Sequence, residues 1–212
     1  MSYQTWLAVL LVTTAAVSLG DKRLSPVIRT YALQSLLLGT LVVLEGRASR
    51  QVPLLLYGVA IIIVKGLLTP AYITWVARRF ETRRELEPIL NIPLSLIAAG
   101  LCLLAAIRVA DDLHLDQPEQ RVLIVSGLCT VLLGLLTMAT RRKAITQSLG
   151  LLTMENGAFL LSLTLAGGLP LAIELAAFLE VIVLVVLLGI LFQRIRESFD
   201  SLDASAMQTL GE

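Results

Sequence analysis

The stretch VPLLLYGVAIIIVKGLLTPAYITWVA, Val52 to Ala77, decides the fold. Its one charge is Lys65. As an α-helix rising 1.5 Å per residue it extends about 39 Å, more than the ~30 Å hydrocarbon core of a bilayer. Backbone polar groups inside lipid must be paired, so a helix is the economical form for such a segment.

Working outward, six further segments have the length and apolarity of membrane helices, at 3–20, 27–45, 89–110, 120–140, 143–166 and 169–196. The intervals carry turn and charge signals: Gly20-Asp21-Lys22-Arg23, Arg47 to Arg50, Arg78 to Glu87, Asp111 to Arg121, Arg141-Arg142-Lys143 and Gly167-Gly168. The chain therefore reads as an all-α integral membrane protein of about seven transmembrane helices. The whole 212-residue composition agrees: 57% of residues are hydrophobic and the mean hydropathy is +0.84. Soluble domains stay near 45–50% apolar.

Orientation follows from the basic residues. Lys22, Arg23, Arg29, Arg78, Arg79, Arg83, Arg84, Arg141, Arg142, Lys143, Arg194 and Arg196 gather at alternate helix ends, while Arg47, Arg50, Arg108 and Arg121 stand at the opposite ends. The positive-inside rule puts the N-terminus outside and the C-terminus in the cytoplasm. The acidic loop with Asp111, Asp112, Asp116 and Glu119 then faces outward. The first apolar run lacks a basic leader and is followed by its positive charges, so it reads as a retained helix rather than a cleaved signal peptide.

Three divisions emerge. Residues 1–140 hold about five helices, 141–197 form a helix hairpin with a Gly-Gly turn, and 198–212 are a polar cytoplasmic tail with Phe199, Leu202, Met207 and Leu210 as apolar anchors. Pro170 suits the first turn of the last helix, where an N–H has no partner to lose. No internal repeat is evident.

Several function classes lack support. A formal net charge of +1 gives no reason to expect nucleic acid. Cys102 and Cys129 lie inside apolar helices and read as small hydrophobes. The one histidine, His114, sits in the acidic loop, and neither a CxxC, an HExxH nor a phosphate loop occurs. No cofactor or metal is expected in this chain.

Charges at mid-bilayer depth cost at least ~2.5–3.5 kcal/mol each and mark pathways or partners. Lys65, Glu155 and Glu180 are three such charges. Glu155 and Glu180 fall near the centres of the two hairpin helices, at comparable depth. Apolar surroundings favour a neutral carboxyl and a nearby lysine favours a charged one, a balance suited to a proton relay. Asn156 and Ser162 add polar neighbours. Lys65 lies about 18 Å of helix rise from either end, too deep to reach the surface. Pro70 cannot donate to the Gly66 carbonyl, so a local kink beside Lys65 is expected to admit water or a carboxylate. Glu174, ~120° around the helix from Glu180, is an outer station or an interfacial charge. Glu45, near a helix end, reads as solvated. The run Arg78 to Glu87 reads as a self-neutralising, solvated helix end, with docking of a soluble subunit as the alternative reading. The competing reading throughout is structural pairing of buried charges, within the chain or across a subunit interface.

The stretch Arg141-Arg142-Lys143-Ala144 through Leu149-Gly150-Leu151-Leu152-Thr153-Met154-Glu155-Asn156-Gly157 resembles the NuoK subunit of respiratory complex I and the MrpC subunit of multi-subunit cation/proton antiporters. Asn156 matches the Asn of those families. Leu152 stands where they carry glutamate, and Glu155 follows one helical turn later on roughly the same face. Glu180, after Leu175-Ala176-Ala177-Phe178-Leu179, is similar to their second glutamate.

Nearly the full length resembles the hydrogenase-4 component E family. The similarity rests on Lys65 with Pro70, Glu87-Pro88, Asn91, Pro93-Leu94-Ser95-Leu96, Glu155-Asn156-Gly157, Gly168-Leu169-Pro170, Glu174, Gly189-Ile190-Leu191, Arg194-Ile195-Arg196-Glu197, Phe199-Asp200 and Leu202-Asp203.

This resemblance implies a non-catalytic subunit of the prokaryotic inner membrane, set between a hydrogenase membrane anchor and antiporter-like subunits. The [NiFe] centre and iron–sulfur clusters would belong to cytoplasmic partner subunits, with formate dehydrogenase in some complexes. The expected function is proton or sodium translocation coupled to electron transfer, using Glu155, Glu180, Lys65 and Glu174, with Asn156, Pro70 and Gly66 in support. Two alternatives stand beside it: a purely structural adaptor between anchor and antiporter-like subunits, and an MrpC-like subunit of a cation/proton antiporter without hydrogenase.

Overall fold

The computed structural model describes residues 2–21, 23–79, 92–113, 115 and 117–165. All regular structure there is helical. In chain order the elements are α1 (Tyr3–Gly20), α2 (Leu24–Ala48), α3 (Val52–Ile61), a π-helical segment (Ile62–Leu68), α4 (Thr69–Arg79), α5 (Ile92–Asp112), α6 (Pro118–Thr140) and α7 (Ala144–Leu165). The α3, π and α4 segments form one continuous rod, so the described residues contain six helices long and apolar enough to cross a membrane. The expected seventh helix at 169–196, with Glu174, Glu180, the Gly167-Gly168 turn and the tail, lies outside the described residues. So does the centre of the charged run, 80–87.

The second helix exceeds its expected bounds of 27–45 at both ends. Its C-terminus is closed by the Gln51 N–H donating to the Gly46 carbonyl at 3.0 Å and the Arg50 N–H to that of Arg47 at 3.4 Å. This is a Schellman closure, which requires a left-handed residue just past the helix. Arg50 fills that position at φ 56°.

Two antiparallel pairs carry most of the packing, and glycine sets how closely each approaches. A Cβ added at Gly134 would meet the Met154 backbone N at 2.5 Å and the Gly150 carbonyl at 2.7 Å. One added at Gly157 would meet the Val131 N at 2.7 Å and the Gly127 carbonyl at 2.8 Å. Gly127 and Gly134 on α6 thus face Gly157 and Gly150 on α7, a spacing of two turns on each helix. In lipid, where apolar side chains gain nothing by leaving water, close backbone approach supplies the dispersion contacts that hold helices together. The α2–α3 pair uses the same device at Gly46 against Leu55 and at Gly58 against Val43.

The short turn between α6 and α7 is fastened to the end of α1. Arg141, 2% exposed, donates through Nη2 to the carbonyls of Leu19 at 2.9 Å and Asp21 at 2.7 Å, with Ser18 at 3.3 Å. A helix C-terminus presents carbonyls without intrahelical partners and a partial negative charge, and a guanidinium satisfies both.

Candidate functional site

Lys65 and Glu155 meet. Lys65 Nζ lies 2.8 Å from Glu155 Oε1, with the two side chains 4% and 3% exposed. Lys65 comes from the middle of the π-helical segment. There the Thr69 N–H donates to the Val64 carbonyl, five residues back instead of four. Pro70 follows immediately. A ring without an N–H ends the regular i−4 ladder, and the widened turn before it absorbs the mismatch. The kink expected from Pro70 therefore takes the form of a π turn around Lys65, and Gly66 within it is buried against Leu36.

Glu155 sits on α7 beside Asn156, which faces a second polar group. Asn156 Nδ2 donates to Gln34 Oε1 at 3.3 Å and Ser35 Oγ at 3.2 Å, and Gln34 Nε2 reaches the Leu11 carbonyl at 3.4 Å. Asn156, Gln34 and Ser35 are 0–1% exposed. Sequence reasoning missed Gln34 and Ser35, although an adjacent amide and hydroxyl between Leu33 and Leu36 were there to be seen. Ser162, expected nearby, stands almost two turns further along α7. Within this site Glu155 Oε2 and Asn156 Oδ1 are buried and have no hydrogen-bond partner among the described residues. A buried acceptor without a partner costs ~1–3 kcal/mol, so each oxygen is a place for a water, a proton or a further side chain.

Among the described residues, apolar clusters flank the site in both directions along the helices. On one side Leu54, Ile61, Phe159, Leu160 and Leu163 pack together with Leu38 and Leu41, and the Tyr57 ring packs at a tilt of 36° against Phe159 with centroids 5.3 Å apart. On the other, Ile73, Val76 and Ala77 pack with Ile145, Leu149 and Leu152. Beyond the first cluster opens a polar cavity of about 310 Å³, lined by Gln4, Glu45, Gln117, Glu119, Gln120 and Thr164. Glu45 accepts a hydrogen bond from Gln4 and is half-buried there, rather than solvated as its position near a helix end suggests. Among the described residues no group of three His, Cys, Asp or Glu side chains is placed to hold a metal ion.

The sequence matches known proteins at a distance. The chain is 28% identical over 202 residues to an uncharacterized protein of Mycobacterium tuberculosis, covering 94% of this chain and 92% of that one. It is 25% identical over 181 residues to hydrogenase-4 component E of Escherichia coli, covering 85% and 84%. Hydrogenase-4 component E of Shigella flexneri matches to the same extent. No family model matches, and no solved structure matches. The aligned lengths nearly equal the full lengths, so the similarity takes in the α3–α4 rod and α7 together and is not confined to the NuoK-like stretch.

Proposed function

We propose that this chain is a multi-pass membrane subunit of a hydrogenase-type complex, in which the Lys65–Glu155 pair is a proton station of the membrane arm. The observation that carries the reading is the pair itself, buried mid-rod on a π turn, with the second carboxylate oxygen unpartnered among the described residues. Similarity to hydrogenase-4 component E supports the complex. The [NiFe] and iron–sulfur chemistry then belongs to partner subunits, and this chain supplies the path.

A proton arriving at Glu155 neutralises the carboxylate and weakens its hold on Lys65 Nζ. A proton leaving restores the ion pair. Each exchange alters the charge of one group by one unit, and the low-dielectric surroundings make that alteration felt by neighbouring ionisable groups. Asn156, anchored to Gln34 and Ser35, holds α7 in register while this happens. The apolar clusters on either side keep the station from short-circuiting the membrane. Glu180 and Glu174 are proposed as further stations on the hairpin's second helix, next to the hydrogenase anchor and antiporter-like partners. Sodium in place of protons is a variant of the same reading.

The test is Glu155→Gln in the assembled complex. The expected outcome is normal subunit composition on native gels, retained hydrogenase turnover, and a lowered ratio of protons moved per electron. An unchanged ratio in a fully assembled variant overturns the relay. Loss of assembly with normal coupling in the surviving complex supports the structural adaptor instead.

A further inference from the structure

At the arginine-rich end of the molecule, two adjoining cavities of about 420 and 720 Å³ lie between α2 and α4 and share Ile28, Arg29, Thr74 and Arg78. They differ in lining. The smaller runs over Ala32, Pro70, Ala71 and Trp75 and is largely apolar. The larger adds Arg23 and Ser25 beside Arg29 and Arg78. All three arginines are exposed, and none is in an ion pair among the described residues. Trp75 is 57% exposed.

We propose that this groove binds an anionic phospholipid, its phosphate held by Arg23, Arg29 and Arg78 and an acyl chain laid along the apolar floor. The geometry pairs the two halves on each helix. Arg29 stands one turn from Ala32 on α2, and Arg78 stands one turn from Trp75 and two from Ala71 on α4, so a basic rim tops an apolar stripe on both walls. Guanidinium forks match phosphate oxygens two at a time. Tryptophan with an exposed ring marks the headgroup level of a membrane protein, and basic pockets between helices on the cytoplasmic side bind anionic headgroups. A soluble anionic partner would satisfy the arginines and leave the apolar floor unused. A neutral phospholipid would fill the floor and leave three arginines that have no ion-pair partner among the described residues. One amphiphile with a net negative head does both. The floor ends at Pro70, five residues from Lys65, so the bound chain would brace the rod just beyond its π turn. The inference does not depend on proton movement through the site.

The chain contains two tryptophans, and Trp6 lies at the far end of α1. In a full-length Trp6→Phe chain reconstituted in phosphatidylcholine vesicles, Trp75 fluorescence reports on the groove alone. Brominated phosphatidylglycerol is expected to quench it at a mole fraction at least ten-fold below that needed with brominated phosphatidylcholine, on the order of five-fold per arginine engaged. Inorganic phosphate is expected not to compete. Arg23→Gln, Arg29→Gln and Arg78→Gln together should bring the two lipids close to parity. Equal quenching by the two lipids in the Trp6→Phe chain overturns the proposal without any arginine variant. Full displacement by inorganic phosphate also overturns it, in favour of a soluble anion. A phosphatidylglycerol preference that survives removal of all three arginines overturns the assignment of the headgroup to this rim.

Discussion

Glu155 has one oxygen on Lys65 and another with no partner among the described residues, and those two facts make opposite demands on substitutions. Removing the carboxylate alone leaves an ammonium buried with no counter-charge among the described residues. Glu155→Ala should therefore destabilise the chain by about 3–5 kcal/mol, whereas the double variant Lys65→Met, Glu155→Met should recover most of that loss. Unfolding of the full chain in mixed detergent measures both; equal losses in single and double variants would mean the pair contributes no coupling. Asn156→Leu strands Gln34 and Ser35 and should cost about 0.6–1.7 kcal/mol, the range measured for hydrogen bonds between membrane helices. Lys65, Glu155 and Asn156 were legible in the sequence because each interrupts an apolar run at a depth where charge or amide is costly. Their pairing was not, since it depends on which face each helix turns inward. Lys65 had two candidate carboxylates, and only the packing of α7 against the rod chooses Glu155.

Helix ends and helix contacts obey simpler rules. Arg50 in the left-handed region is an L-residue where glycine would be unstrained, so Arg50→Gly should stabilise the chain by about 0.5–1 kcal/mol despite the added freedom of the unfolded state. A fall in stability would show that the arginine side chain makes up for its backbone strain. Gly134→Val drives a side chain into the Met154 backbone, which cannot yield as a flexible side chain can. The expected loss is about 1–3 kcal/mol, read in the same unfolding assay, with Gly20→Val as a control where a Cβ meets nothing. Helix existence was legible for all six described spans because length and apolarity alone decide it. The extent of α2 was not, because its closure uses an arginine where glycine is the usual signal. The π turn also escaped: Pro70 announces a fault in the ladder without saying whether it is resolved as a bend or as an extra residue.

Across the whole molecule, burial is uneven. Inside the described structure α7 is 61% buried over its most apolar window and α5 only 17%. Leu101 and Leu104 on α5 are 61% and 60% exposed, whereas Leu160 on α7 is fully buried. In the isolated chain with Cys102 and Cys129 replaced by alanine, Leu101→Cys and Leu104→Cys should react rapidly with a membrane-soluble maleimide, and Leu160→Cys should resist it. Protection of the α5 positions would mean that a further part of the chain covers that helix. The bundle thus has an inner member carrying the site and an outer member bound mainly through α6, and the inner one is the less apolar of the two, as its buried polar side chains require.

The guanidinium of Arg141 has a consequence in time. The carbonyls it satisfies lie 120 to 123 residues earlier in the chain. During synthesis at 5–20 residues per second, the first helix waits roughly 6–24 s for the residue that completes its end. In that interval α1 is an inserted but unfinished element, held by α2 and open to exchange with lipid, translocon or quality-control protease. Arrival of Arg141 signals that α6 has crossed and turned, so one side chain links the fate of the first span to the correct insertion of the fifth.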